Sequence, residues 1–324
     1  MRARLLASDL VALAVVLLSA GCDAAGRADE AGEAGAASSG DSKLRVYVVN
    51  YPLQYFAQRI GGDLVEVEFP APADIDPAFW APTAEAISAF QSADLILLNG
   101  AGYARWVDRV TLPTSKLVNT SDGFSGDYIY VESAVSHTHG PAGEHSHGEL
   151  AFTTWLDPTL ALEQARAVKD AFAAARPQGA SMFSAGFESL ERDLSDLDQA
   201  LVHLTARSEP PLVASHPVYQ YLARRYELDL VSVHFEPDEY PDEGAWERLE
   251  RILEEHRARW MIWEAEPMER TRARLGELGV MSVVFDPAGN VPAKGGEGGE
   301  GGDFLGVMRA NVGNLEEAFG GGGG

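Results

Sequence analysis

The sequence predicts an α/β protein in which two α/β lobes with mostly parallel sheets are joined by one long rigid helix, with a ligand cleft between the lobes. One observation behind this fold class is a stretch of apolar residues at helical spacing over residues 178–206. The other is that short, β-branched apolar runs alternate with helical patterns on both sides of that stretch. Strands that alternate with helices are typical of parallel α/β sheets.

The central helix is predicted from seven apolar residues spaced alternately four and three apart, which are Phe183, Phe187, Leu190, Leu194, Leu197, Leu201 and Leu204. This spacing places them on one face of a single helix, while charged residues occupy the other faces. At 1.5 Å per residue the helix would be roughly 40 Å long, more than one small domain needs. We therefore predict that it acts as a strut between the lobes.

Eight apolar runs predict the strands. They cover residues 44–49, 64–69, 95–98 and 116–118 before the strut, and 212–214, 228–233, 259–263 and 280–285 after it. The predicted organisation is a first lobe over residues 44–177, the linking helix over 178–206, a second lobe over 207–319 and a disordered tail over 320–324. Ligands of α/β folds bind at the carboxyl ends of parallel strands, so the loops that follow these runs are the candidate site.

Length and charge limit the function classes. The 324 residues can bury two sizeable cores. The net charge is −24, from 49 acidic and 25 basic residues. Phosphate backbones and anionic lipid surfaces would repel such a chain, so the composition argues against nucleic-acid binding.

The first 22 residues have the features of an export signal. Arg2 and Arg4 precede an apolar core over residues 10–18, and small residues follow. Cys22, the only cysteine, comes directly after them, and residues 18–22 resemble a bacterial lipoprotein box in which the cysteine is lipidated. The alternative is an unrelated cysteine in an ordinary signal. Residues 23–43 predict a flexible tether.

A histidine-rich tract covers residues 137–147. It holds four of the eight histidines of the chain, His137, His139, His145 and His147. The tract is too rich in glycine, proline and polar residues to predict a helix or strand. Neutral imidazole is a common zinc ligand, which favours a metal role, by transient capture or sensing more than as a fixed site. The alternative is a solvated loop that binds nothing specifically.

Three potential ligands end predicted strands of the second lobe. His216 follows the run over residues 212–214, Glu264 ends the run over 259–263, and Asp286 ends the run over 280–285. Each residue alone would be an ordinary turn or capping residue. Together they predict a nitrogen and oxygen site for Zn²⁺ or Mn²⁺, which would be the transported ligand.

The order of the motifs along residues 44–319 resembles a family, the zinc- or manganese-type (cluster A-I) substrate-binding lipoproteins of bacterial ABC importers. The motifs are Asp76-Pro77 with Pro82-Thr83, Ala93 to Ile96 with Asn99-Gly100, the histidine tract before Trp155-Leu156-Asp157-Pro158, Ser215-His216-Pro217, Glu236 to Glu239, Phe285-Asp286-Pro287, and Asp303-Phe304-Leu305. The resemblance implies two lobes joined by a rigid helix, and metal ligands at the positions of His216 and Asp286.

Two positions depart from the pattern. The resemblance implies a histidine ligand directly after Asp-Pro, where this chain has Ala78, and another where it has Thr153. Three hypotheses follow. A histidine of the tract completes the coordination sphere, or the metal arrives in a small chelate in a pocket lined by Trp80, Thr153 and Trp155, or metal binding is lost.

The resemblance implies a binding protein that captures a metal ion, most often zinc, outside the cytoplasm and delivers it to an ABC permease and its ATPase. It would be a monomer, anchored to the bacterial membrane through Cys22, with no enzymatic activity. One alternative is a receptor for a metal chelate or a non-metal solute. Another is an extracytoplasmic metallohydrolase. The chain has neither an H-E-x-x-H motif nor a G-x-S-x-G motif, which argues against this alternative.

Overall fold

Two four-stranded parallel sheets form the framework of the protein. The computed structural model describes residues 42–131, 136–138, 144–146, 150–292 and 302–320. The strands are β1 Leu44–Val48, β2 Val65–Glu68, β3 Leu95–Leu98, β4 Leu117–Asn119, β5 Ser136–Thr138, β6 Glu144–Ser146, β7 Leu212–Ala214, β8 Leu230–Ser232, β9 Trp260–Trp263 and β10 Met281–Val284. The sheet orders are β2-β1-β3-β4 and β10-β9-β7-β8. The predicted fold class is confirmed, and the predicted strand ends differ from the observed ones by at most two residues.

The helices are α1 Tyr51–Gly61, α2 Ala84–Ser92, α3 Pro158–Ala175, α4 Ala180–Thr205, α5 Gln220–Arg225, α6 Glu243–His256, α7 Glu269–Glu277 and α8 Phe304–Gly320. Side-chain caps define several starts. Asn50 accepts from the Leu53 N–H at the start of α1, and Thr83 accepts from the Ala86 N–H at the start of α2. No helix in the described part of the chain is long and apolar enough to cross a membrane.

The long helix α4 is the predicted strut. It has 26 residues, and all seven of the apolar residues that predict it are buried. It packs against α1, α3 and α8. Both halves of the chain also bind its charged face, because Arg59 of α1 lies 2.6 Å from Asp193 and Arg225 of α5 lies 2.7 Å from Asp198.

The histidine tract differs from the prediction. β5 and β6 pair antiparallel, with His137 opposite His145, whereas the sequence predicts no strand there. The glycines and the proline of the tract, Gly140, Pro141 and Gly143, fall between the two strands in sequence. The composition of the whole tract therefore hides two short segments whose backbone groups can pair with each other.

Several predictions fall outside the described residues. They are the signal peptide with Cys22, almost all of the tether, the side chains of His137, His139, His145 and His147, and the tail beyond Gly320.

Candidate metal site

A cavity of about 410 Å³ lies where loops from both sheets meet. Residues before the strut line one side, namely Ala73, Asp74, Ile75, Asp76, Pro77, Phe79, Tyr103, Phe152, Thr153 and Trp155. Residues after it line the other, namely His216, Val218, Glu236, Glu264, Asp286, Pro287, Gly289 and Asn290. The first side is largely aromatic and apolar, apart from its two aspartates, whereas the second carries an imidazole and three carboxylates.

The strands of the second sheet deliver these ionisable groups. His216 follows β7, Glu264 directly follows β9, and Asp286 follows β10 by two residues. These three strands are neighbours in the sheet, so their carboxyl ends meet at one edge. Glu236 lies four residues beyond β8, the remaining strand of this sheet, and also lines the cavity. All four strands of this sheet therefore send a potential ligand into the same cavity.

His216 is the centre of this group. Its side chain is only 4% exposed, and its Nδ1 lies 3.4 Å from Oε1 of Glu236 and 3.8 Å from Oε1 of Glu264. The ring of His234 meets the ring of His216 edge to face, with centroids 5.4 Å apart. Backbone bonds hold the segment, since the Ser215 N–H donates to Ile262 and the Phe235 N–H donates to Ser215. Imidazole and carboxylate groups are donors that bind divalent cations.

Asp286 is fixed by its backbone. Its N–H donates to Oδ1 of Asn311 at 2.9 Å, and Nδ2 of Asn311 donates to its carbonyl at 2.7 Å. Its Oδ1 accepts from the Ala288 N–H at 2.7 Å. Burial raises the pKa of the Asp286 carboxyl, and the Ala288 hydrogen bond only partly opposes this. A buried carboxylate of this kind gains most from a nearby cation.

The first side of the cavity has no histidine at the two positions, 78 and 153, where the family resemblance implies a ligand. Ala78 is buried, and its N–H donates to Oδ1 of Asp76. The Thr153 hydroxyl donates to the backbone carbonyl of Val218, across the cavity wall. In the described residues, no three histidine, cysteine or carboxylate side chains are grouped closely enough to hold an ion together.

The structure separates the residues that the sequence predicts to line the pocket, Trp80, Thr153 and Trp155. Thr153 and Trp155 line the cavity, and the indole N–H of Trp155 donates to the carbonyl of Pro287 at 2.7 Å. Trp80 does not line it, and packs edge to face on Trp106 with centroids 6.2 Å apart. An aromatic residue in a proline-rich loop can face either the core or a cleft, and Trp106 supplies an aromatic surface on the core side.

Sequence reasoning missed Asp74, Asp76, Tyr103 and Glu236 as cavity residues. Glu236 could have been found by extending the strand-end argument from β8. Tyr103 carried no such signal, because a tight turn over residues 100–103 sets its position. Gly100 has a φ of +75°, and a Cβ there would lie 2.0 Å from the Ser121 hydroxyl oxygen. The Tyr103 N–H donates to the Gly100 carbonyl and closes the turn.

Comparison with known proteins identifies relatives along most of the chain. The high-affinity zinc uptake system protein ZnuA of Bacillus subtilis is 25% identical over 302 residues, covering 88% of this chain and 90% of that protein. The manganese-binding lipoprotein MntA of Halalkalibacterium halodurans is 24% identical over 249 residues, covering 76% of this chain and 75% of that protein.

Solved structures share the fold. The metal-dependent lipoprotein YcdH of Bacillus subtilis superposes with a TM-score of 0.73 at 22% identity, covering 86% of this chain and all of that chain. The Zn(II)-bound ZnuA-like domain of AdcA from Streptococcus pneumoniae superposes with a TM-score of 0.72 at 21% identity, covering 86% and 99%. A family model described as ZnuA, zinc-uptake complex component A, periplasmic, matches residues 46–318. The chain therefore belongs to this zinc-uptake component A family.

Proposed function

We propose that this protein is the extracytoplasmic solute-binding component of a metal ABC import system, and that its solute is a transition-metal ion, zinc before manganese. The observation that carries the proposal is the position of His216, buried on the cavity with its Nδ1 3.4 Å and 3.8 Å from two carboxylates. The names of the relatives, a zinc uptake protein and a manganese-binding lipoprotein, support the same cargo.

The ligands in this proposal are His216 and Asp286, with Glu264 and Glu236 beside them. Carboxylate and imidazole donors bind both Zn²⁺ and Mn²⁺, and a histidine favours zinc. The lobes over residues 44–177 and 207–319, joined by residues 178–206, would close on the ion. The histidines of the tract, His137, His139, His145 and His147, would capture metal and pass it to the cavity.

The position in the cell is also part of the proposal. Cleavage before Cys22 and lipidation of its thiol would tether the protein to the bacterial membrane, with residues 23–43 as the flexible connection. A monomer held there would deliver its cargo to a permease and its ATPase. Binding and release need no covalent step, so the protein is proposed to be a receptor and not an enzyme.

The test is a titration of chelator-stripped protein with Zn²⁺, Mn²⁺ and Ni²⁺ by calorimetry, together with melting curves. An ion at 100 times its Kd should stabilise the native state by about 2.7 kcal/mol. His216→Ala should weaken zinc binding by about 100-fold, because the buried donor is lost. The matched control is His203→Ala, which removes an exposed histidine of α4 and should leave the titration unchanged.

A second variant separates the cavity from the histidine tract. Protein lacking residues 137–147 should keep the tight site, which His216→Ala then removes. The proposal fails if none of the three ions binds saturably, or if His216→Ala and His203→Ala give the same affinity for zinc.

A further inference from the structure

The cavity is larger than a bare ion requires. Its volume is about 410 Å³, whereas one water molecule occupies about 30 Å³ in the liquid. Pockets for small organic ligands start at about 300 Å³. The cavity can therefore hold an ion together with an organic group of modest size.

The part of the cavity away from His216 is built from aromatic rings. Tyr103 meets Phe152 edge to face with centroids 5.2 Å apart, and meets Trp155 in the same way at 5.8 Å. Phe79 in turn meets Phe152 at 6.3 Å. These contacts fix the ring faces and edges that a flat organic group can pack against.

A polar atom in this aromatic part has no partner. Tyr103 is only 8% exposed, and its hydroxyl has no hydrogen-bond partner among the described residues. Burial raises the pKa of Tyr103 well above its usual value, and the charge of Asp76 adds to this, so the hydroxyl keeps its proton. A buried donor without an acceptor destabilises the native state. An acceptor oxygen on a bound solute would remove this cost.

Charge narrows the class of solute. Five carboxylates line the cavity, those of Asp74, Asp76, Glu236, Glu264 and Asp286, and none of its described lining residues is a lysine or an arginine. A polyanionic chelator would be repelled even with a divalent ion bound. An amino acid binds a divalent ion as a monoanion, after its ammonium group loses a proton to solvent. The complex therefore keeps a positive charge, which the carboxylates around the cavity attract.

We propose that the solute is a divalent metal ion complexed with an amino acid that carries a flat heterocycle, whose ammonium group has lost its proton to solvent so that its nitrogen can bind the ion. The proposal rests on the proposed function. The ion lies on the His216 side, bound by protein carboxylates and imidazole and by the amino acid's own nitrogen and oxygen atoms. The heterocycle packs against Trp155 and Phe152, and the Tyr103 hydroxyl donates to the carboxylate of the amino acid.

The test compares zinc alone with zinc plus L-histidine and zinc plus citrate, on chelator-stripped full-length protein, by calorimetry and native mass spectrometry. For the native protein, L-histidine should tighten zinc binding by about tenfold, and a species of protein, zinc and histidine in equal numbers should form. Citrate should act only as a competitor for zinc.

Two variants probe the aromatic part of the cavity. Tyr103→Phe removes the donor and keeps the ring. At Gly289 a Cβ would meet Trp155 at 3.6 Å and the Tyr103 hydroxyl oxygen at 4.0 Å, so Gly289→Leu fills the space without a clash at its first carbon. Each variant should reduce the gain from L-histidine by about tenfold, while His203→Ala should keep it.

The outcomes separate the two proposals. If zinc alone binds the native protein and L-histidine only competes, the chelate is wrong and metal capture stands. If L-histidine helps the native protein and both cavity variants equally, the assigned place of the amino acid is wrong. If zinc binds neither alone nor together with L-histidine, the proposed function fails as well. Melting curves of the metal-free variants establish that each is folded.

Discussion

The two sheets have the same topology and opposite chemistry at their strand ends. When the four strands of each sheet are numbered in chain order, their order across the sheet is second, first, third, fourth, with the second sheet read as β8-β7-β9-β10. Every pairing is parallel. Three strands of the first sheet are followed by neutral polar residues, Asn50, Asn99 and Thr120. The second ends its strands in His216, Glu236, Glu264 and Asp286. Topology thus determines where the loops meet, and the residue types decide what they do.

The neutral ends of the first sheet form a buried network. Asn50 Nδ2 and Gln164 Nε2 both donate to Oδ1 of Asn99 at 3.1 Å, and Gln164 also donates to the Thr120 hydroxyl at 3.0 Å. Asn99 Nδ2 donates to the carbonyl of Phe152 at 2.9 Å. Such a satisfied network makes the loops rigid. The second sheet instead places titratable groups against the cavity, where a cation can balance them.

A substitution at Asp286 gives the strongest test of the difference between the strand ends of the two sheets. Asp286→Asn keeps the oxygen that accepts from the Ala288 N–H but removes the charge. We expect a loss of zinc affinity of about 100-fold, at the upper end of what loss of a group that supports a metal costs. Calorimetric titration of the variant against the native protein measures it. An unchanged affinity would show that the charged ends of the second sheet do not bind the ion.

The same substitution should stabilise the metal-free protein. The pKa of Asp286 is raised by burial, so the native state binds more protons than the unfolded state at pH values between the ordinary pKa of 3.8 and the raised native pKa. Stability therefore falls as the pH rises through the native pKa, and the whole penalty is present at neutral pH. Asp286→Asn lacks it, and its melting temperature should be higher by about 2 °C at pH 7 and equal to that of the native protein at acidic pH.

At Asn99 the effect should be on folding and not on binding. Asn99→Ala removes the buried oxygen that accepts from the amides of Asn50 and Gln164, although Gln164 keeps its bond to the Thr120 hydroxyl, and should lower the free energy of unfolding by about 2 kcal/mol. Zinc affinity should change by less than about threefold, below 1 kcal/mol. Urea unfolding and calorimetry give the two numbers. Asn314→Ala removes an exposed amide that bonds Val284 and is the control. The reverse pattern would contradict the division between the sheets.

The sequence predicts the framework better than the cavity. The seven apolar residues of α4 and the runs of the strands follow a simple period, and burial forces that period to be kept. His216, Glu264 and Asp286 lie within two residues of a strand end, so topology alone places all three on the cavity. Glu236 lies four residues past β8, and Tyr103 depends on a turn with left-handed residues at Ala101 and Ala104, so their positions depend on loop conformation. Trp80 depended on which neighbour offered the better packing surface.

The smallest expected effect concerns a hydrogen bond by which the first side of the cavity contacts the loop of His216. The Thr153 hydroxyl donates to the carbonyl of Val218, two residues beyond His216. Thr153→Val keeps the shape of the side chain but leaves that carbonyl unpaired, which should cost about 1 kcal/mol of stability. If the bond also positions His216, zinc affinity should fall by about threefold, because less of the unbound protein holds the imidazole in place.

Thr205→Val is the matched control for this change. It removes the same hydroxyl from a bond within α4, to the Leu201 carbonyl at 3.0 Å. It should therefore cost stability but leave zinc affinity unchanged. If both variants lose stability and neither loses affinity, Thr153 only joins the two sides and does not position His216. A loss of affinity in Thr153→Val alone would show that the first side of the cavity acts on the second through this hydrogen bond, without touching the ion.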